Sequence, residues 1–117
     1  MTQLIGKLNS LVLAVSDMNR SVKFYRDILG LKVAEQSADW SELKAGNFYL
    51  GLYRAKPQKS SGGSLPTFEV QNIKKTVSDL KKRKVKFVDD LYEEDYGWLA
   101  VFSDPDGYCY ELFQEKN

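Results

Sequence analysis

The 117-residue sequence contains no histidine. Histidine is the commonest general base and metal ligand, so its absence excludes Ser-His-Asp and Cys-His nucleophilic chemistry. A single cysteine, Cys109, cannot form an intramolecular disulfide, which indicates a reducing compartment and a cytoplasmic location. No apolar run approaches the roughly 20 residues of a membrane-spanning helix. Residues 1–6 lack the basic and apolar regions of a signal peptide, so neither a membrane partner nor a leader is expected.

The charge of the chain is nearly balanced, with 17 basic and 16 acidic residues and a net charge of +1. A balanced chain offers no electrostatic argument for nucleic acid or an anionic membrane surface. Hydrophobic residues make up 43% and charged residues 28% of the sequence. This composition is typical of a globular protein, and the length predicts one domain spanning residues 1–117.

The first half of the chain predicts a strand, a helix and three further strands. Residues 8–15 alternate as a strand does, and Ser16 or Asp17 can cap the helix that follows. Met18, Val22 and Tyr25 begin an apolar stripe at helical spacing, which continues to Leu29. Gly30 suits the left-handed residue after a helix. The remaining strands are predicted at 31–36, 40–44 and 48–53.

The second half repeats this order after a polar linker at about 55–64. Asn72 takes the capping position of Asp17, and Ile73, Val77 and Leu80 form the second helical stripe. Residues 92–97 are expected to form a loop, and 104–107 a type I turn. The repeat defines module one (about 8–54) and module two (about 65–114). The strands of module two are predicted at 65–70, 85–88, 98–102 and 108–113.

Two motifs resemble those of one protein family. Leu11–Met18, with Phe24-Tyr25 and Leu29-Gly30-Leu31 after it, is similar to the first-half signature of the glyoxalase/bleomycin-resistance/dioxygenase (vicinal oxygen chelate) superfamily. Asp104–Tyr108, followed by Glu111-Leu112, resembles its last-strand signature. The resemblance implies an α+β fold, in which two βαβββ modules form a cupped mixed sheet with helices on the convex side. It also implies small organic ligands in the cup and a homodimer.

The metal chemistry of the family is not expected in this chain. Where the resemblance implies metal ligands, the sequence supplies one carboxylate, because three of the four positions carry serine, glycine and leucine. A divalent metal site needs about three protein ligands. We therefore predict no metal and no cofactor. The four positions are Ser10, Gly51, Leu65 and Glu111.

Strand alternation predicts which side chains share the inner face with these positions. Glu111 is the only catalytic candidate, since a carboxylate buried without a partner could act as a weak acid or base. The alternatives are a relic carboxylate paired with a neighbouring donor, and a contact to a ligand. Cys109 is interpreted mainly as a small core residue, and Tyr49 and Tyr53 either as ordinary strand residues or as stacking partners of a ligand. The predicted ligand-binding set is Ser10, Tyr49, Tyr53, Thr67, Glu69, Trp98, Cys109 and Glu111.

Three functions remain open at this point. The first is metal-free binding, in which the protein sequesters a drug or metabolite, and acidic and aromatic walls would favour a cation. The second is an enzyme, either a glyoxalase-like or dioxygenase-like lyase or oxidoreductase, or a metal-independent one using Glu111 or a tyrosine. The third is a catalytically silent structural module.

Overall fold

The computed structural model describes residues 4, 6–58 and 64–116. Part of the predicted linker and most of the amino-terminal segment therefore lie outside the described residues. The chain divides into two compact units, residues 1–57 and 58–117. Each unit holds one four-stranded sheet and one α-helix in the order β-α-β-β-β, which confirms the predicted pair of βαβββ modules. Neither α-helix of the described residues has the length and apolar character for a membrane crossing.

Module one contains a mixed sheet in the strand order β1-β4-β3-β2. Strand β1 runs parallel to β4, whereas β3 is antiparallel to both β4 and β2. Helix α1 follows β1 and continues into a π-helical turn at Phe24–Ile28, where the Leu29 amide donates to the Phe24 carbonyl at 3.0 Å. The elements are β1 (Ser10–Val15), α1 (Met18–Lys23), β2 (Lys32–Gln36), β3 (Trp40–Ala45) and β4 (Phe48–Arg54).

Module two has the corresponding strand order β5-β8-β7-β6. Strand β5 is parallel to β8, and β7 is antiparallel to both β8 and β6. The elements are β5 (Thr67–Glu69), α2 (Ile73–Lys82), β6 (Lys86–Glu94), β7 (Gly97–Ser103) and β8 (Cys109–Glu115). The same topology therefore occurs twice along the chain.

Both helices begin where the sequence predicts. The Asp17 carboxylate accepts a hydrogen bond from the Arg20 amide at 3.1 Å, and the Asn72 side chain accepts one from the Lys75 amide at 3.1 Å. These bonds satisfy amides that have no partner inside a helix. Gly30 has a φ of 82°, which confirms the left-handed position after the first helix.

Each sheet has a helix-side face and a helix-free face. Successive residues of a strand point to opposite faces, so burial against the helix selects every second residue. In module one the helix-side face carries Leu13, Val15, Leu43, Leu50 and Leu52, all 9% exposed or less. In module two it carries Ala100, Phe102, Tyr110 and Leu112, all buried against Ile73, Val77 and Leu80 of α2.

Three differences from the predicted elements have local causes, and the other strand boundaries shift by one or two residues. The π-helical turn replaces the end of the first predicted helix. Strand β5 begins at Thr67 and not at residue 65, since Pro66 has no amide hydrogen to donate to a sheet. Strand β6 extends to Glu94 through the first half of the predicted loop at 92–97, where Asp95 and Tyr96 form the turn. As an edge strand with two bulges, β6 tolerates acidic residues that suggested a loop.

Candidate functional site

The predicted site residues fall on the helix-free faces of the two sheets, with one exception. In module one, Ser10 lies beside Tyr49 in the register of β1 and β4, and Ala14 lies beside Tyr53. In module two, Thr67 lies beside Glu111, and Glu69 lies beside Phe113. Cys109 precedes Glu111 by two residues on the same strand, so it shares the face. Each module thus contributes its own set of polar and aromatic side chains.

The centre of the module-two face is a hydroxyl–carboxylate pair. The Thr67 Oγ1 lies 3.1 Å from Glu111 Oε1 and 3.2 Å from the Leu65 carbonyl oxygen. A threonine hydroxyl has one proton, so it donates to one of these acceptors at a time. Glu111 is only partly buried. Its carboxylate therefore keeps acceptor capacity for a ligand.

Tyr92 lies on the same face, on strand β6, which β7 separates from the strand of Glu111. It pairs with Leu99, which lies beside Phe113 on the helix-free face. Burial raises the pKa of the Tyr92 phenol above its ordinary value, and the negative charge of Glu111 raises it further. At neutral pH the phenol is therefore protonated and can donate a hydrogen bond. Tyr92 was not predicted as a site residue, because residues 92–97 were expected to form a loop. The apolar and aromatic side chains Phe87, Val88 and Leu91 could have indicated that the strand continues.

Apolar side chains surround the Thr67–Glu111 pair. Leu99 and Val101, which lie beside Phe113 and Glu111 on this face, are 3% and 6% exposed. The Phe113 ring lies 6.0 Å from the Tyr96 ring, centroid to centroid. A Cβ atom built on Gly97 would lie 2.6 Å from the Phe113 ring, so the ring occupies the space that a side chain would need. The face therefore combines the central Glu111 carboxylate and the hydroxyl groups of Thr67 and Tyr92 with an apolar surround.

Trp98 does not belong to this group, because it lies on the helix-side face of the sheet. It pairs with Gln114 and Glu93, one residue out of phase with Glu111. The Lys116 ammonium lies 5.3 Å from the centre of its ring and forms an ion pair with Glu93. Trp98 therefore contributes to a surface cation–π contact.

Cys109 and Glu69 lie at the margins of the module-two face. The Cys109 Sγ is 3.8 Å from the Gly107 carbonyl oxygen, and the side chain is partly buried beside Ser103. Glu69 is exposed. Neither side chain makes a hydrogen bond to the Thr67–Glu111 pair.

In module one the corresponding face is aromatic. Trp40 pairs with Tyr53, and its ring covers Gly51, since a Cβ atom on that glycine would lie 2.5 Å from the indole. Tyr53 is 44% exposed, whereas Tyr49 is partly buried. Aromatic side chains of this kind can stack on a planar ligand.

The donors at the family's metal-ligand positions do not fit a divalent metal. Glu111 supplies the one carboxylate, Leu65 is an alkyl group, and the space above Gly51 is filled by Trp40. Within residues 6–58 and 64–116, no three or more acidic or cysteine side chains cluster as metal ligands would. A metal ion held by this chain alone would therefore lack the roughly three protein ligands that it needs.

Comparison with known proteins places this geometry in context. The model of the Glyoxalase/Bleomycin resistance protein/Dioxygenase superfamily matches residues 7–112. The chain is 29% identical to mitochondrial methylmalonyl-CoA epimerase of Mus musculus, in an alignment that covers 74% of this chain and 58% of that protein. With the Homo sapiens enzyme it shares 31% identity, in an alignment that covers 70% of this chain and 56% of the enzyme. The chain thus spans little more than half the length of these relatives.

Solved structures share the fold at lower identity. A putative glyoxalase family protein from Bacillus anthracis has a TM-score of 0.83 at 19% identity, covering 99% of this chain and all of that one. TnmS3, an antibiotic-binding protein from Streptomyces sp. CB03234, has a TM-score of 0.80 at 20% identity, covering 98% of this chain and all of its own. At such identities the likeness concerns the fold alone.

Proposed function

The chain belongs to the glyoxalase/bleomycin resistance protein/dioxygenase superfamily, and on that premise we propose that it binds a small organic molecule without the help of a metal ion. The observation that carries the proposal is the Thr67–Glu111 pair among Leu99, Val101 and Phe113, with Tyr92 on the same face of the sheet. A few convergent polar groups in an apolar surround are typical of small-molecule sites. The antibiotic-binding TnmS3 is a precedent for binding on this fold.

The chemistry of the face favours a ligand that carries a positive charge or several hydrogen-bond donors. Glu111 accepts hydrogen bonds, and the neighbouring carboxylates Glu69 and Asp89 add negative charge to the same face. Phe113 and Tyr92 can contact the cationic or planar part of such a molecule. On its own helix-free face, module one offers the aromatic side chains of Tyr49 and Tyr53, with the hydroxyl of Ser10 beside Tyr49.

A thermal-shift screen tests this function directly. The panel consists of small aromatic, cationic and thiol compounds, because a ligand that binds the native state raises the melting temperature by mass action. Any hit is then titrated calorimetrically into wild type and Glu111→Gln. A charge-assisted hydrogen bond is worth about 1.5–3 kcal/mol, so we expect affinity to fall at least about tenfold.

The control variant is Asp79→Asn, which removes a carboxylate from helix α2 of the same module. It is expected to bind as tightly as wild type. Equal affinity of Glu111→Gln and wild type, or no stabilisation by any cationic or aromatic compound, would refute the proposed binding site.

A second candidate is a metal-independent epimerase. The two relatives named above are methylmalonyl-CoA epimerases, and Glu111 is a carboxylate placed beside the Thr67 hydroxyl. Such a group can remove and return a proton next to a carbonyl. Incubation with methylmalonyl-CoA in deuterated water tests this, with deuterium uptake at the carbon between the two carbonyls as the readout. Uptake that Glu111→Gln abolishes supports the enzyme, and uptake no faster than without protein rejects it.

We also propose that the protein acts as a cytoplasmic homodimer. The single cysteine suits a reducing compartment, and dimers are what resemblance to the superfamily implies. Sedimentation velocity at micromolar concentration should give twice the 13.4 kDa mass of the chain. A species of 13.4 kDa throughout the concentration range would refute the dimer.

A further inference from the structure

The turn end of the module-one sheet carries a group of lysines without counter-charges. We call Lys7, Lys32 and Lys44 the lysine patch. None of the three forms an ion pair within the described part of the chain. The acidic pair on the same face, Glu35 and Glu42, lies two residues further along β3 from the turn and makes no ion pair with the patch.

Two of these lysines are direct cross-strand neighbours. Lys32 of β2 pairs with Lys44 of β3 in the antiparallel register. Side chains opposite each other in such a pair have Cβ atoms about 4.5–5.5 Å apart, and like charges there destabilise the sheet. An anion beside the pair would relieve this repulsion.

A surface concavity of about 530 Å³ adjoins the patch. Its lining includes two cationic side chains, Lys7 and Lys44, and the carboxamide of Asn47, which has two donor hydrogens. Phe48 and Tyr49, both partly buried, add aromatic surface. Among the described residues no carboxylate lines the concavity, so the polar groups there offer hydrogen-bond donors and positive charge.

A second basic concavity, between α2 and β6, differs because one of its lysines is paired with a carboxylate. There the Lys81 ammonium lies 2.7 Å from an Asp90 carboxylate oxygen, and the same ammonium lies 5.7 Å from the Phe87 ring centre. That groove therefore contains its own counter-charge, although Lys74 and Lys82 also line it.

We propose that Lys7, Lys44 and Asn47 form a binding site for the anionic group of an organic phosphate or carboxylate. Lysine binds such groups as a point charge, with Asn47 adding hydrogen bonds. Tyr49 and Phe48 contact the organic part of the ligand, and Lys32 adds to the positive field. This site goes beyond the ligand proposed for module two and does not depend on it.

Amide NMR spectra of the full chain, titrated separately with pyrophosphate and with malonate, test the site. Sodium chloride at matched ionic strength is the reference. We expect saturable shifts in the Asn47 side-chain amide and the backbone amides of 44–49. In the Lys7→Gln/Lys44→Gln double variant the affinity should fall about tenfold. Comparison of the two titrations distinguishes a phosphate site from a carboxylate site.

The matched control is Lys74→Gln/Lys82→Gln, which removes the same charge from the groove beside α2. It should bind the probes as wild type does. Shifts of similar size around every surface lysine, or equal affinity of the two double variants, would overturn the proposal. Melting temperature in phosphate-free, low-salt buffer gives a second readout, since Lys44→Gln should not be less stable than wild type once the Lys32–Lys44 repulsion is gone.

Discussion

The two modules have the same topology but differ in the chemistry of their helix-free faces. Module one has aromatic side chains there, with Trp40 lying over Gly51, and lysines at its turn end. Module two has the Thr67–Glu111 pair and Tyr92. The helix-side faces, in contrast, are alike, with aliphatic and aromatic residues packed against one helix. The comparison shows that apolar burial on the helix side is common to the two modules, whereas the residues of the helix-free faces differ.

Substitutions on the helix-side faces should cause the largest losses in the free energy of unfolding. Leu52 and Leu112 are 0% and 3% exposed in equivalent last strands of the two modules. Leu52→Ala and Leu112→Ala should each lower the free energy of unfolding by about 3 kcal/mol, through lost burial and the cavity left behind. Chemical denaturation measures this, with Leu8→Ala, at a side chain 82% exposed, as a control of less than about 0.5 kcal/mol. If only one core variant is destabilised, the two modules do not contribute alike.

The next largest expected difference between the modules is the stability lost when one glycine in each is replaced by alanine. A Cβ atom at Gly97 would overlap the Gln114 carbonyl oxygen, whereas one at Gly51 would meet only the far end of the Trp40 ring. Backbone cannot move aside as a side chain can, so Gly97→Ala should cost about 3 kcal/mol and Gly51→Ala about 1 kcal/mol. Thermal unfolding of both variants measures the difference.

The smaller ring in Trp40→Phe should restore most of the stability of Gly51→Ala. The same second substitution has no contact to relieve at Gly97. Equal losses in the two alanine variants, or a Gly51→Ala loss unaffected by Trp40→Phe, would show that Trp40 does not occupy the space above Gly51.

Replacing the helix-capping residue of either module should lower stability by less than the core and glycine substitutions do, and by the same amount in the two modules. Asp17 and Asn72 each accept one backbone amide at 3.1 Å. Asp17→Ala and Asn72→Ala should therefore each lower the free energy of unfolding by about 1 kcal/mol. Urea denaturation of the two variants measures this, and a loss confined to one of them would break the equivalence of the helix starts.

The smallest expected effect is the pH dependence of stability that comes from Tyr92, a residue with no counterpart in module one. Its pKa lies above 10.0 in the folded chain because of burial and the charge of Glu111. The folded state therefore holds the proton more tightly than the unfolded state, so this contribution to stability declines as the pH rises through about 10. In Glu111→Gln the pKa should move towards its ordinary value. Ultraviolet titration of phenolate absorbance measures this pKa, and Tyr92→Phe assigns the signal. An unchanged titration in Glu111→Gln would show that the charge of Glu111 does not act on Tyr92.

Most of the fold could be predicted from the sequence, because helix-side burial leaves a periodic pattern. Met18 and Val22, like Ile73 and Val77, repeat at helical spacing and are all buried. The exceptions have local causes. Pro66 shortens β5, the π-helical turn alters the end of the first helix, and edge strand β6 carries acidic residues that are typical of loops.

The candidate site was less accessible from the sequence. Alternation alone places Thr67 and Glu111 on the same face, but not the hydrogen bond between them. The face of Trp98 could have been predicted, since it alternates in phase with the buried residues Ala100 and Phe102. Tyr92 could not be placed while β6 was expected to end at residue 88. Bulges shift the register of that strand, and a sequence pattern does not locate them.

Metal-independent binding on the module-two face is the central claim. The most direct test titrates the best ligand of the screen into EDTA-treated protein while amide NMR signals are followed. We expect saturable binding without added metal, with the largest shifts at Thr67, Tyr92 and Glu111. Binding that appears only after a divalent metal is added, or shifts confined to helix-side residues, would contradict the account.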